Sequence, residues 1–183
     1  GAVNSQGGYS ASVPLDLPST RGGLPVPLEV VHGGKRMGAA GLGWDIPRSY
    51  IYRDTTLARR RPGRQQLSLM LGGQRFVLVR NAANTAWLVQ RNGVQLEVRE
   101  SGDRAMVMYD GEGRTYSFNS QGASAGSRLI NGNMFLLVSI RGSDGNTAVL
   151  SYGFGAPALP GGGTGLSINL ASVSYNLSPT IAN

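Results

Sequence analysis

The sequence of 183 residues contains no cysteine and only one histidine and one lysine. Without cysteine the chain can form neither a disulfide framework nor a thiolate metal site, and cysteine usage says nothing about the redox compartment. Any Ser-His-Asp triad would have to use His32, but no nucleophile elbow accompanies it. A single histidine without cysteine also disfavours zinc. We therefore expect no catalytic residue, no cofactor and no metal.

Long apolar runs and helical periodicity are also missing. No apolar stretch approaches the ~20 residues of a membrane span, so we expect none. Residues 1–8 lack the charged and apolar regions of a signal peptide, and none is visible. No segment keeps a 3.6-residue apolar period over a window of about 11 residues. Together with 28 glycines and 9 prolines, this excludes a helical bundle and predicts little or no helix.

The charge is +7, and all basic residues except Lys35 are arginine. Such an excess permits binding to anionic surfaces, but no helical basic face or known module supports nucleic-acid binding, so we expect no nucleic-acid partner. The densest cluster consists of Arg59, Arg60, Arg61 and Arg64. Two interpretations stay open: a contact with an anionic partner, or a solvated loop that pairs with acids in a larger assembly.

Short runs of alternating apolar and polar residues follow one another along most of the chain. Turn sequences separate these runs at Gly72-Gly73, Asn92-Gly93, Asp110-Gly111 and Asp144-Gly145-Asn146. Asn-Gly and Asp-Gly favour hairpin turns because both central positions of a type I′ turn need positive φ. The pattern predicts an all-β domain of roughly ten to fourteen antiparallel strands, arranged as a meander of hairpins that forms a sandwich or an open barrel-like sheet.

The predicted domain spans residues 9–177, with a flexible lead-in at residues 1–8 and a tail at residues 178–183. Inside the domain, composition predicts loops at residues 57–66, 120–133 and 153–165. Gly33-Gly34 predicts a tight connection between two strands.

Tryptophans and acidic turn residues each allow two interpretations. Trp44 follows the glycine-dense bend that contains Gly41 and Gly43, and we expect it to anchor the core, as we do Trp87; the alternative is stacking on a sugar or a partner. The acids of Asp110-Gly-Glu112 could contribute oxygens to calcium, but turn chemistry already explains them.

Several short motifs occur in a particular order. The first group is Pro14-Leu-Asp-Leu-Pro18, Arg21-Gly-Gly-Leu24, Pro27-Leu-Glu-Val-Val31, Gly41-Leu-Gly-Trp44 and Ile51-Tyr-Arg53. The second group is Tyr116-Ser-Phe118, Phe135-Leu-Leu-Val-Ser-Ile140, the Asp144–Tyr152 hairpin and Leu170-Ala-Ser-Val-Ser-Tyr175. Together they resemble the N-terminal region of the SpvB/TcB toxin-complex family, which is related to the Rhs/YD-repeat toxins. The late turn is one residue tighter than usual for the family, and residues 57–114 match only by pattern.

The resemblance implies structural motif positions at Gly41, Gly43, Trp44, Arg53, Asn146 and Tyr152. In that family the strands form part of a large β shell that encloses a toxic effector and docks to a translocation partner. The resemblance therefore implies a secreted, non-enzymatic bacterial virulence scaffold. Its partners would be other β modules of the same or a companion toxin protein, and a protein effector as cargo.

One alternative function stays open at this point, as does the oligomeric state. The chain could be a free-standing secreted β-sandwich that binds a glycan or cell surface. Exposed aromatic side chains such as Trp87, Tyr50 and Tyr52 would then form the binding platform.

Overall fold

The computed structural model describes residues 1–3, 9–15, 23–38, 40–54, 66–89, 93–102, 104–120, 133–165 and 167–177. These residues form fourteen β-strands and no helix, which confirms the predicted all-β class. Within them, no helix is present that could cross a membrane. The strands are β1 (Ala2–Val3), β2 (Tyr9–Pro14), β3 (Glu29–Gly38), β4 (Gly41–Asp45), β5 (Tyr50–Asp54), β6 (Gln66–Leu71), β7 (Gln74–Arg80), β8 (Trp87–Val89), β9 (Leu96–Glu100), β10 (Ala105–Asp110), β11 (Thr115–Asn119), β12 (Met134–Arg141), β13 (Thr147–Gly155) and β14 (Ser167–Leu177).

Strands β5 to β12 form an eight-stranded antiparallel barrel. The barrel closes because β12 pairs with β11 along one edge, where Ile140 faces Tyr116, and with β5 along the other, where Phe135 faces Ile51. Of the two architectures that the sequence leaves open, the structure therefore has the barrel, and it is closed. Strands β13 and β14 extend the sheet from β12, whose residues Ser139, Ile140 and Arg141 pair with β13, and this gives ten strands in one continuous sheet.

Strands β1 to β4 form a separate antiparallel sheet. Ala2–Val3 pairs with β2, so these residues of the predicted lead-in are a strand instead. The connection predicted at Gly33-Gly34 lies inside β3. Between the pairs His32↔Trp44 and Met37↔Leu42 the register shifts, so β3 holds extra residues there as an irregularity.

Two more predicted boundaries differ from the structure. Strand β13 continues to Gly155 by pairing with Ser167, so residues 153–155 of the predicted loop 153–165 are a strand. Gln66, predicted as the end of the loop 57–66, begins β6. The remainder of that loop, residues 121–132 of the next one and the tail 178–183 lie outside the described residues.

The core lies inside the barrel and follows the strand alternation. Twelve large side chains there and at the barrel wall are less than 2% exposed: Ile51, Leu67, Leu69, Leu78, Trp87, Met106, Met108, Phe118, Phe135, Leu136, Leu137 and Ile140. All of these except Leu136 belong to one cluster. Leu136 points the other way and packs with Ile168, Tyr50, Met134 and Tyr152 against the outside of the barrel. Full burial of each such side chain contributes about 1.5–3 kcal/mol of hydrophobic stabilisation.

The two ends of the barrel differ. At one end, the segment before β3 lies against turns that connect strands of the barrel. Leu24 in this segment is 7% exposed and belongs to the barrel core. A Cβ placed on Gly142 would lie 3.1 Å from Leu24 Cδ2, and one on Gly72 would lie 3.4 Å from Pro27 Cβ. We call this the capped end. Strands β5, β7, β9 and β11 end at the opposite end, which we call the open end; the connections from β5 to β6 and from β11 to β12 at this end lie outside the described residues.

Candidate functional site

Charged side chains replace apolar ones on the inner face of the barrel at the open end. Because side chains alternate along a strand, the residue two positions after an inward one also points inward. Arg53 follows buried Ile51 in β5, Arg80 follows buried Leu78 in β7, and Glu100 follows buried Val98 in β9. Strands β7 and β9 thus end with an inward-facing charged residue, and β5 ends one residue after such a residue.

These charges meet at one carboxylate oxygen. Glu100 Oε1 accepts hydrogen bonds from Arg80 Nη2 at 3.0 Å and from Arg53 Nη2 at 3.4 Å. Trp87 Nε1 donates to the same oxygen at 3.4 Å, although the residue is only 1% exposed. We call Arg53, Arg80, Trp87 and Glu100 the barrel-mouth cluster. It carries two positive charges and one negative charge.

Arg80 is held in place on three sides. Its guanidinium carbon lies 4.3 Å from the centroid of the Trp87 ring, a cation–π arrangement. Its Nη1 donates to the carbonyl oxygen of Asn84 at 3.1 Å. Asn84 has a left-handed φ of 57° inside a turn that Asn81 holds by accepting bonds from the Thr85 and Ala86 amides. These three contacts fix the orientation of the Arg80 guanidinium.

Arg53 is less completely satisfied. Its guanidinium carbon lies 5.9 Å from the centroid of the Phe135 ring. Its Nε is buried, and no acceptor for it exists among the residues that the structure describes. The side chains of Arg53, Arg80 and Glu100 are 28%, 33% and 39% exposed, so the cluster is accessible to solvent. Ion pairs this exposed contribute little to stability, typically ~0–1 kcal/mol each.

The other predicted motif positions do not gather at this cluster. Gly41 and Gly43 have φ of 116° and 79°, conformations that side chains rarely adopt, and both lie in β4. Trp44 is half-buried in the same strand and packs edge-on against the His32 ring at 5.0 Å. It does not anchor the barrel core, because β4 lies at the edge of the small sheet. Trp87 does anchor the barrel core, which confirms its prediction as a core residue.

Asn146 and Tyr152 hold the hairpin of β12 and β13. Asn146 donates to Asp144 Oδ2 at 2.7 Å within the turn, and it is 6% exposed. Tyr152 Oη donates to the Leu137 carbonyl at 2.7 Å. Burial raises the pKa of Tyr152 to about 12. Asn146 therefore stabilises the turn, and Tyr152 links β13 to the barrel strand β12.

The acidic turn residues serve local structure. Asp110 Oδ1 accepts from the Glu112 and Arg114 amides at 3.0 and 2.9 Å, and Asp110 Oδ2 accepts from Tyr116 Oη at 3.2 Å. Within the described ranges, no group of three or more His, Asp or Glu side chains could hold a metal. Arg59, Arg60, Arg61 and Arg64 lie outside the described residues.

Sequence reasoning found Arg53 but missed Arg80 and Glu100. A signal for both was present, because each continues the inward parity of its strand beyond the last apolar residue. Their meeting could not be read from the sequence, since it depends on the pairings of β7 with β8 and of β8 with β9.

No family model and no curated protein sequence matches the chain. Solved structures do match its fold. The crystal structure of TcdB2-TccC3-Cdc42 has a TM-score of 0.60 and 18% identity, and the match covers 92% of this chain and 9% of that one. The N-terminal domain of effector protein SpvB from Salmonella typhimurium strain LT2 has a TM-score of 0.60 and 17% identity, with 94% of this chain and 65% of that one covered.

The Photorhabdus luminescens Tc holotoxin pore matches with a TM-score of 0.54 and 16% identity over 83% of this chain and 8% of that one. The chain thus spans about a tenth of the toxin-complex chains and 65% of the SpvB domain. The resemblance drawn from the sequence motifs is confirmed at the level of the fold: the chain has the fold of an SpvB/toxin-complex-type region.

Proposed function

We propose that this chain is a non-enzymatic structural module of a secreted bacterial toxin-complex or Rhs-like protein, where it forms part of a β shell that encapsulates or helps deliver a toxic effector. The observation that carries the proposal is the match of its fold to TcdB2-TccC3 and SpvB structures over more than nine-tenths of its length. Its partners are other β modules of the same or a companion protein, and the cargo is a protein effector.

The edges of the sheets supply the mechanism of assembly. Strand β14 lies at one end of the ten-stranded order, so one of its edges has no neighbour among the described strands. It is 11 residues long and contains no charged residue and no proline. Charges, proline and short length are the usual protections of an exposed edge. An uncharged edge of this length, interrupted only by two register shifts against β13, supports pairing with a further strand of a larger wall.

The filled interior also supports a wall module rather than an enzyme. The inner face of the barrel is packed with large apolar side chains. A cleft beside it, lined by residues that include Arg48, Ser49, Leu150 and Tyr152, measures about 10 Å³. That is room for about one water molecule and too little for a substrate.

The alternative of a glycan-binding module receives less support. Of the three aromatic residues that would form its platform, Trp87 is 1% exposed and Tyr50 is half-buried, whereas Tyr52 is 41% exposed. Sugar platforms need aromatic faces that the solvent can reach.

The decisive experiment is to determine the coding sequence on both sides of this segment in the source genome. We expect the reading frame to continue past Asn183 into further strand-forming segments of YD-repeat type and a variable effector region. A stop codon soon after Asn183 would contradict the proposal. A glycan-array screen of the purified chain would then test the alternative.

A second measurement addresses the shell itself. In the full-length protein, the effector region should resist trypsin while the shell is intact. Deletion of residues 9–177 should expose it to cleavage within the same digestion time. Equal protection in both proteins would exclude a role of this module in enclosing the cargo.

A further inference from the structure

The C-terminal part of the chain carries no charged side chain. All 17 basic and 10 acidic residues lie within residues 1–144, and so does the single histidine. Strands β13 and β14 and the connection between them belong to the uncharged part. Connections that face only water are normally polar, so this composition indicates that the extension has a contact other than water.

The end of the extension is a hairpin, residues 153–165, which we call the finger. Ala158 pairs with Thr164 across it, and Leu159 N donates to the Gly163 carbonyl oxygen at 3.1 Å. The three consecutive glycines at its turn have φ of 92°, 93° and 95°, a region that only glycine adopts readily. The predicted loop therefore has a defined backbone shape at its tip.

The finger exposes two large apolar side chains. Phe154 is 45% exposed and Leu159 is 48% exposed. Thr164 carries the only polar side chain of the finger. Arg48 donates to the carbonyl oxygen of Ile168, which pairs with Phe154, so this charge is already engaged at the base of the finger. Large apolar side chains presented in this way are typical anchors of protein–protein contacts.

We propose that the finger inserts Phe154 and Leu159 into an apolar, uncharged pocket of another module of the same polypeptide. This inference rests on the proposed function, in which the chain is one part of a longer protein. In the solved structures of similar fold, the matched region is likewise accompanied by further polypeptide. The chain spans 65% of the SpvB domain and about a tenth of the toxin-complex chains.

Three other occupants fit the finger less well. The cleft lined by residues that include Arg48 and Tyr152 measures about 10 Å³, room for about one water molecule, so it cannot receive the finger of a second copy. A lipid surface attracts basic residues, and residues 145–183 contain none. A sugar needs several hydrogen-bonding side chains, whereas the finger offers only Thr164.

A thiol placed on the finger tests the contact. The chain has no cysteine, so Ala158→Cys gives this module a single thiol between the two anchors. Its reaction with N-ethylmaleimide is followed by mass spectrometry of the peptide that carries it, in the isolated chain and in the full-length protein. We expect the reaction to be slower by about tenfold or more in the full-length protein, because a covered thiol reacts only when the site opens. Equal rates in the two proteins would overturn the proposal.

A matched pair of variants identifies the apolar anchor as the cause of the protection. In the full-length protein with Ala158→Cys, Leu159→Asp should restore the rate of the isolated chain, because a carboxylate does not enter an apolar pocket without a partner. Leu159→Met, which keeps the volume and the apolar character, should leave the thiol protected. Leu159 is exposed, so neither variant should shift the urea midpoint of the isolated chain. Continued protection in Leu159→Asp would refute the role of the finger.

Other occupants give their own results, and each of these results counts against the proposal. Protection of Ala158→Cys in the isolated chain that rises with protein concentration would indicate a second copy. Protection that appears when phosphatidylcholine–phosphatidylserine vesicles are added would indicate a lipid surface. The proposed function fails in a different way: a stop codon soon after Asn183 would contradict both, whereas a long toxin-like product with a fully reactive Ala158→Cys thiol would overturn the finger alone.

Discussion

At the residue scale, two tyrosines link stability to alkaline pH. Burial is the main cause that raises the pKa of both Tyr116 and Tyr152 to about 12. Tyrosine in an unfolded chain ionises near pH ~10, so the stabilisation is complete below that pH and is lost as pH rises through about 12. We expect the free energy of unfolding, measured in urea, to fall by about 1–3 kcal/mol per tyrosine across this window.

Phenylalanine variants separate this effect from general alkaline damage. Tyr116→Phe and Tyr152→Phe should each flatten the pH dependence, whereas Tyr52→Phe, at a position that is 41% exposed, should not. At neutral pH, Tyr152→Phe should also cost about 1 kcal/mol, because the Leu137 carbonyl loses its donor. An unchanged slope in both buried-site variants would refute the assignment.

Single residues were predictable where the cause is local. The acid at Asp110 and the glycine at Gly145, with φ of 85°, follow from turn geometry that a few neighbouring residues define. The prediction that Trp44 anchors the core was wrong, because the burial of this residue depends on which sheet its strand joins. The sequence offers no local signal for that.

At the element scale, the segment around Leu24 acts as the lid of the capped end. Leu24 is 7% exposed and belongs to the barrel core, although it lies outside the barrel strands. Leu24→Ala should destabilise the chain by about 2–3 kcal/mol, the lower part of the range for buried leucines, because the barrel end can partly collapse. Leu42→Ala provides the control, since Leu42 is 66% exposed and should change stability by no more than ~0.5 kcal/mol. If both variants unfold at the same urea midpoint, Leu24 does not stabilise the capped end of the barrel.

Strand positions were predictable because alternation and turn dipeptides are local signals, and the meander from Gln66 to Asn119 follows them closely. Barrel closure was not predictable in this way, because it pairs Ile51 with Phe135, and more than half of the barrel sequence separates these two residues. Only the complementarity of two apolar strand faces selects that pair, and any other strand of similar pattern could compete.

At the scale of the whole molecule, the outer edge of β14 should make the isolated chain self-associate. The edge offers unpaired backbone donors and acceptors along an uncharged strand of 11 residues. Two copies can satisfy these groups by pairing their β14 strands antiparallel, as a further strand of the proposed wall would. We expect the apparent mass in sedimentation equilibrium to rise with concentration from monomer toward dimer.

A charge on the edge should suppress this pairing. Ser174 lies on β14 and its side chain is exposed, so Ser174→Lys places a lysine where natural edge strands carry one. Ser151 is equally exposed but lies on β13, which pairs with the inner edge of β14 at Ser172. Ser151→Lys therefore adds the same charge away from the edge. If Ser174→Lys is monomeric while Ser151→Lys still dimerises, β14 is the edge through which the isolated chain associates, as the proposed wall requires. If both variants dimerise alike, association uses another surface, such as the small sheet of β1 to β4, and the growth of a shell from β14 has to be abandoned.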